Sequence, residues 1–404
     1  MGNYDVVIVG QQPWDTEIGS NCKNIALELS KRHRVLYVNS PLDRATLLRN
    51  RRDSKVAKRL RVIRGMSEGL KRVSENLWTL YPNCIVESIN WLPLSSLFDY
   101  VNKINNRRLA KSIRSAISVL GFRDILLFND NEIFKAFYLN EFLNPKQSIY
   151  YSRDYMIGVP YWKRHGERLE PLLIAKNSIC FTNSLYLRDY CAKYNTNTYY
   201  VGQGCEIDQL QHYDPTSVPH DMADINVPIL GYVGALDSNR LDIGLMERLA
   251  DAFPQYMMVL VGPEDDAVKH SELHRKENVV FLGKKPVDEL FQYIGAFSVC
   301  INPQLTNSIT IGNYPRKIDE YLALGKPVVA THNPTMLAFS PVVYLANTPE
   351  EYVLSIRKAL AENTSELEAA RKAFVASHTW ENSVAEMLKH LQTELDNTTK
   401  KMEI

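Results

Sequence analysis

Short apolar runs, each followed by an amphipathic stretch, recur along this 404-residue chain and restrict it to one class of fold. The first run is Asp5-Val6-Val7-Ile8-Val9-Gly10, and others fall at residues 34–39, 124–128, 148–151, 178–182 and 198–201. Between them, residues 21–31, 105–119, 132–139 and 185–193 carry helical spacing. A strand that is apolar on both faces must be covered on both faces, so strands alternating with helices predict a parallel sheet with helices on either side. The pattern pauses over residues 207–227, which are polar and hold Pro215, Pro219, Asp221 and Asp224. It then restarts, with strands expected at 229–233, 257–261, 279–281, 298–302 and 327–330 and helices at 244–252, 287–294, 315–324 and 349–361. A chain this long exceeds one ordinary core. The expectation is therefore an α/β protein of two tandem doubly wound domains: residues 1–206, a linker at 207–227, a second domain at 228–380 and a last helix at 381–404.

Composition excludes several classes. Hydrophobic residues make up 45% and charged residues 23%, which is globular rather than disordered. The net charge of +1 means that any electrostatic partner must be met by a local patch. No apolar run reaches the roughly 18 residues of a membrane span. The N-terminus enters its first strand directly rather than through an export leader, so a cytoplasmic location is expected. The six cysteines (Cys22, Cys84, Cys180, Cys191, Cys205 and Cys300) show no C-x-x-C spacing. They read as reduced thiols, with no metal and no resident cofactor expected.

In a doubly wound sheet, ligands bind beyond the carboxyl ends of the strands. In the second half those ends carry glycines: Gly231 and Gly234, then Gly262, then Gly283 followed by Lys284. Asp237-Ser238-Asn239-Arg240 follows the first of them, and Arg240 could meet a pyrophosphate with its planar fork. The segment from Asn313 and Tyr314 through Pro315-Arg316-Lys317-Ile318-Asp319-Glu320-Tyr321 to Gly325-Lys326-Pro327 reads as a helix. Pro315 suits its first position and Gly325 the cap after its end. Ile318, Tyr321 and Leu322 share an apolar face, while Arg316 and Glu320 share the opposite one. Two cations in a first turn oppose the helix dipole unless an anion joins them. The alternative is a solvated Arg–Glu surface pair.

These residues resemble the nucleotide-binding signature of GT-B glycosyltransferases, the family-four-like group also called glycosyltransferase group 1. The match runs through Pro315, Lys317, Glu320, Tyr321, Ala323, Gly325, Lys326, Pro327, Val328 and Val329. It extends in outline to residues 199–208, 231–249 and 279–283 and to the tail Ser377-His378-Thr379-Trp380-Glu381. The resemblance implies two Rossmann-like domains facing a cleft, with a last helix returning to the first domain. It implies a nucleoside-diphosphate sugar as donor, of UDP or GDP type, and transfer with retention to a cell-surface polysaccharide or lipid-linked glycan. Glu320 would hold the donor ribose and Arg240 with Lys317 the diphosphate, while Gly283 and Lys284 would border the base. Gly234, Gly262, Asn313, Tyr314 and Arg316 would complete the donor site. One departure is Gly312, which stands where many family members carry a glutamate that contacts the donor sugar.

The amino-terminal half is expected to bind the acceptor. Trp14 and Asp15 follow the first strand, and Arg153 and Asp154 end another. Trp14 could stack on a sugar ring, with Arg153 beside the acceptor. Asp154 could accept a proton from the attacking hydroxyl or hold the donor sugar, and Asp15 is the other candidate base; alternatively, Asp154 caps the next segment. Between Arg44 and Arg72 lie eleven cations against only Asp53 and Glu68, followed by the apolar residues Trp91, Leu92, Leu94, Leu97 and Phe98. Such a patch fits an anionic membrane surface or a lipid-diphosphate acceptor, as a peripheral contact. No recognised nucleic-acid module accompanies it. Two rivals stay open: a GT-B sugar-nucleotide epimerase, and a catalytically silent nucleotide-sugar-binding partner protein.

Overall fold

The computed structural model describes residues 4–15, 20–205, 210 and 213–402, with backbone alone for 395–402. It divides into two compact units, Met1–Gly202 with Ser383–Ile404, and Gln203–Asn382. Part of the expected linker, and of the crossover segment before it, lies outside the described residues.

The first unit is built on β1 (Asp5–Gly10), β2 (Arg34–Val38), β3 (Leu42–Asp43), β4 (Leu70–Ser74), β5 (Leu77–Leu80), β6 (Ile85–Val86), β7 (Ile125–Asp130), β8 (Gln147–Ser152), β9 (Ile179–Thr182) and β10 (Thr198–Tyr200). Eight of these form one sheet in the order β10-β9-β8-β7-β1-β2-β5-β4, parallel except for the antiparallel edge strand β4, and β3 pairs with β6 separately. All of β1 is buried, as a strand covered on both faces must be. The last helix, Trp380–Met402, places Val384, Met387, Leu388 and Leu391 in the interior at helical spacing. Its His390 ring stacks on Tyr199 at 4.0 Å, and its Glu394 accepts hydrogen bonds from Tyr199 Oη and Asn197 Nδ2, each at 3.1 Å.

The second unit holds β11 (Ile229–Val233), β12 (Met257–Val261), β13 (Val279–Gly283), β14 (Val299–Asn302), β15 (Val328–Thr331) and β16 (Tyr344–Ala346), all parallel, in the order β13-β12-β11-β14-β15-β16. Counted within the unit this is the order 3-2-1-4-5-6 of a dinucleotide-binding sheet, whose direction of winding reverses between β11 and β14. In the first unit the reversal lies between β1 and β7.

Four sequence expectations change. No helix covers 132–139; the chain turns there and the helix is Leu139–Leu143. Local side chains take the amide donors a helix would need: Asn129 Oδ1 accepts from Glu132 N at 2.9 Å, and Glu132 Oε1 accepts from Phe134 N and Lys135 N at 3.1 and 3.0 Å. The helix expected at 105–119 instead runs from Ser95 to Leu120. Its core-facing face includes the buried Asn102, Asn105 and Asn106, which hid the apolar period. Leu92 and Phe98 are buried rather than available at the surface, whereas Trp91, Leu94 and Leu97 are exposed. Pro315 caps the helix Arg316–Ala323 rather than opening it.

The ends of β11 and β12 approach so closely that one position tolerates no side chain. Gly262 has φ +150°, and a Cβ there would lie 1.9 Å from the carbonyl oxygen of Gly234. Gly283 also has positive φ (+67°), but a Cβ there would meet nothing within 4 Å. Gly262→Ala combines backbone strain with a clash and should cost about 1–3 kcal/mol. At about 2–4 °C per kcal/mol, this lowers the melting temperature by several degrees. Gly283→Ala should cost less; equal melting temperatures for the two variants would refute the close approach.

Candidate functional site

In the second unit, the carboxyl edge beside the winding reversal is built by backbone approach. Gly234 N donates to Val261 O and Gly262 N to Gly283 O, both at 2.9 Å, so all three expected glycines lie along one seam. The helix Arg316–Ala323 is fixed against it. Ile318, Tyr321 and Leu322 are fully buried, and Tyr321 Oη accepts from Val233 N at 2.9 Å. At its far end Lys326 N donates to Tyr321 O and Gly325 N to Leu322 O, a Schellman closure that stops the helix before β15.

This clamp sets Lys317. Its ammonium lies 4.0 Å from the centroid of the Tyr232 ring and donates to Tyr232 Oη. A Cβ on Gly234, whose φ is +140°, would stand 2.8 Å from Lys317 Nζ, so the cation packs closely over this glycine. A cation, a glycine-lined strand end and a helix first turn meet at one edge, where a phosphate would find charge and close backbone. The Arg240 loop is tied to the loop before that helix: Leu305 N donates to Arg240 O at 2.8 Å and Asn307 Nδ2 to Asn239 O at 2.9 Å. Arg240 itself is half-exposed, with Nε 3.5 Å from Asp237. Lys284 is exposed, Arg316 and Glu320 are half-buried, and Asn313 is buried.

Sequence reasoning missed Asp319. Its carboxylate is fully buried, 2.8 Å from His378 Nδ1 and 3.1 Å from Tyr314 Oη, which donates to it. Burial pushes its pKa up, and the hydrogen bond and charge of His378 oppose that rise. Tyr314, expected at the donor, thus orients its hydroxyl to this pair. The only signal in the sequence was an acid next to the apolar face of the helix, with the histidine 59 positions away.

At the reversal point of the first unit, the fully buried Asp130 ends β7. Arg153 Nε donates to Asp130 at 2.9 Å and Nη1 to Asp154 at 2.6 Å, so one guanidinium bridges a buried and a half-exposed carboxylate. Burial raises the pKa of Asp130, and the charge of Arg153 pulls against it. Asn131 Oδ1 accepts from Arg153 N and Asp154 N at 3.1 and 3.0 Å, and its Nδ2 donates to Tyr150 Oη at 2.8 Å. Arg153, expected beside the acceptor, is thus engaged with two carboxylates of the protein.

Asp15 receives Lys58 Nζ at 3.1 Å and lies 3.5 Å from Arg59. Burial would raise its pKa, but the Lys58 hydrogen bond and both charges outweigh this and hold it below the usual carboxylate value, which weakens it as a base. Trp14 packs edge-on against Tyr37 at 5.1 Å, and its backbone N–H donates to Asn39 Oδ1 at 2.7 Å.

Two units wound in this way have the GT-B fold, and the structural likenesses agree. Sucrose-phosphate synthase from Thermosynechococcus elongatus aligns over 98% of this chain and 100% of its own, with a TM-score of 0.68 at 15% identity. Anabaena HepE in complex with UDP aligns over 96% and 100%, with a TM-score of 0.62 at 14% identity. Residues 227–362 match the family described as glycosyl transferases group 1. A Bacillus subtilis (strain 168) protein, TuaH, whose name assigns it to teichuronic acid biosynthesis as a glycosyltransferase, is 27% identical over 169 residues. The match covers 40% of this chain and 42% of TuaH, so it spans less than half the length of that relative.

Beneath the Asn131 cluster, Glu170 is buried and accepts from Tyr150 Oη at 2.7 Å and Tyr190 Oη at 3.2 Å. Burial raises its pKa to about 7, against the opposing pull of the two hydroxyls. The folded protein therefore keeps a proton that the unfolded chain loses above its ordinary value of 4.5. Stability should fall as pH rises from about 4.5 to about 7 and then level off, by about 3 kcal/mol in all. Glu170→Gln should remove that slope. An unchanged slope in denaturant titrations across this range would show that Glu170 stays ionised in the fold.

Proposed function

We propose that this chain transfers a glycosyl residue, with retention, from a UDP-type sugar to an acidic surface polysaccharide or its lipid-linked precursor. The observation that carries the donor half is Lys317 held over Tyr232 against Gly234 at the winding reversal of the second sheet. HepE, of the same fold, is solved with UDP, which supports that base over guanine. The acceptor half is supported by the name of TuaH, since teichuronic acid is an acidic polymer. Glu320 holds the ribose hydroxyls, and Lys317 with Arg240 holds the diphosphate. Asp154 serves the reacting hydroxyl from the carboxyl edge of the first sheet, in preference to Asp15, whose ion pairs with Lys58 and Arg59 depress its basicity.

Glu320→Ala and Lys317→Ala should each weaken UDP binding about tenfold to a hundredfold in calorimetry, the worth of one hydrogen bond to a charged group. Asp154→Asn should leave UDP affinity nearly intact while lowering turnover by about 10² to 10⁴. Wild-type UDP affinity in Glu320→Ala would remove the ribose assignment. Wild-type turnover in Asp154→Asn would leave that carboxylate only as the partner of Arg153.

A peripheral membrane contact belongs to the same proposal. The basic stretch folds into the helices Arg44–Arg49 and Ser54–Ile63 and strand β4. Arg44, Lys58 and Arg59 are paired internally, but Arg51, Arg52, Arg61, Arg64, Lys71 and Arg72 remain exposed. No helix among the described residues is long and apolar enough to cross a membrane. The protein should sediment with anionic vesicles and be released by salt, because exposed charges are screened beyond about 8 Å. At roughly 1 kcal/mol per cation, reversing Arg51, Arg52, Arg61 and Arg64 should abolish the association. Equal binding to neutral vesicles would overturn the electrostatic reading.

A further inference from the structure

A cavity of about 410 Å³ lined by Tyr155, Tyr186, Tyr190 and Tyr194 lies in the first unit, but a larger one, of about 610 Å³, combines features that together specify a ligand. Its walls come from the helix Arg44–Arg49, the strand β6 and the residues after it, the first turns of the helix Ser95–Leu120, the turn after β7, and the start of the helix Pro160–Lys176. The space suits one or two sugar rings.

Two aromatic side chains stand at this cavity with most of their surface uncovered, Trp91 at 67% and Tyr161 at 57%. The Trp91 indole is held, its Nε1 donating to Ser88 O at 2.8 Å, and the Tyr161 ring packs edge-on against Trp162 at 5.2 Å. A fixed, exposed aromatic face offers stacking to the apolar face of a sugar ring. Two polar atoms of lining residues are buried without a partner, Asn102 Nδ2 and Asn90 Oδ1. Buried amides are normally satisfied.

The charges do not cancel. Two carboxylates line the cavity, and each is already engaged. Glu87 receives Arg44 at 2.6 and 2.9 Å and Arg108 at 3.0 Å, and the Arg44 hydrogen bond, followed by that of Arg108, presses its pKa down to about 2. Asp43 accepts from Thr46 N, Thr46 Oγ1 and Ser88 Oγ at 2.9, 2.6 and 2.7 Å. Of the lining cations, Lys135 donates to Ser40 Oγ at 2.7 Å and lies 4.0 Å from Glu132. Arg49 and Arg164 are exposed and have no ion pair among the described residues. The lining therefore carries more positive than negative charge and two exposed aromatic rings.

We propose that this cavity binds an anionic sugar unit of the acceptor glycan, its ring stacked on Trp91 or Tyr161 and its acidic group met by Arg49, Arg164 and Lys135. The proposal rests on the glycosyltransferase reading for the word acceptor, but the binding itself is independent of it. The acidic group can be a uronate carboxylate or a sugar phosphate, since both match a guanidinium fork.

The test uses the full chain and two anionic probes, trigalacturonate and galactose 1-phosphate, with galactotriose as the neutral counterpart, all measured by calorimetry. An anionic probe should bind and galactotriose should bind more weakly, with the anionic affinity falling as NaCl is raised. The double variant Arg49→Gln/Arg164→Gln should lose at least about tenfold, the lower bound for hydrogen bonds between charged groups. Trp91→Ala should weaken trigalacturonate as well. Whichever anionic probe binds tighter assigns the acidic group. Equal binding of neutral and anionic probes, binding of neither anion, or full affinity in the double variant would overturn the proposal. UDP calorimetry on the same variants separates the two readings: retained UDP binding with no anionic-sugar binding defeats only this cavity, whereas loss of UDP binding by the wild-type chain defeats the donor assignment.

Discussion

The carboxyl edge of the second sheet depends on one close approach, the carbonyl of Gly234 against the α-carbon of Gly262. With any side chain at 262, β11 and β12 would have to part at their carboxyl ends, and the amide of Gly234 would lose its bond to Val261. The helix Arg316–Ala323 is registered on the same strand by Tyr321 Oη and Val233 N, so its position follows from that of β11. Lys317 is then placed by two constraints at once: the helix sets its Cα, and the missing Cβ of Gly234 leaves room for its ammonium. The Tyr232 ring and hydroxyl give that ammonium an electron-rich neighbour.

Buried charge is handled differently in the two units. At the reversal point of the first sheet, Arg153 spans Asp130 and Asp154, so a fully buried carboxylate is compensated by a cation whose other contact reaches the half-exposed one. Removing one partner of such a pair is far more damaging than never having built it, because the other is left buried and uncompensated. In the second unit, Asp319 is held between Tyr314 and His378, which fastens the start of the donor helix to the segment leading into the last helix. Both arrangements hold loops at the carboxyl edge of a sheet, where irregular backbone would otherwise be mobile.

Much of the fold was legible because core strands in a parallel sheet are apolar on both faces, and β1, β7, β11 and β12 announce themselves as unbroken runs. The strands that did not announce themselves are short or exposed: β4 is an edge strand with four of five residues at the surface, β3 and β6 have two residues each, and β5 and β16 have four and three. The helix Ser95–Leu120 was half seen because three asparagines sit where apolar residues would mark its inner face; Asn105 binds both the N–H and the carbonyl of Glu87 instead. The helix Arg316–Ala323 was legible to within a residue at its start, since Pro315, Gly325 and the apolar spacing between them are all local signals.

Sequence by itself determined what depends on neighbours along the chain: the alternation of elements, the two units, the glycines at strand ends and the cationic first turn of the donor helix. Tertiary structure decided which of these residues find partners. Arg153 became an internal bridge, Asp15 an ion-paired carboxylate and Asp319 a buried one, because each has a partner between 23 and 59 positions away in the chain, Asp130, Lys58 and His378. The cavity at Trp91 and Tyr161 was equally hidden, since five separate segments meet there only after the first sheet is wound. Periodicity and capping are short-range properties and can be read from a string; charge compensation is a property of space, set by what the fold brings within about 4 Å.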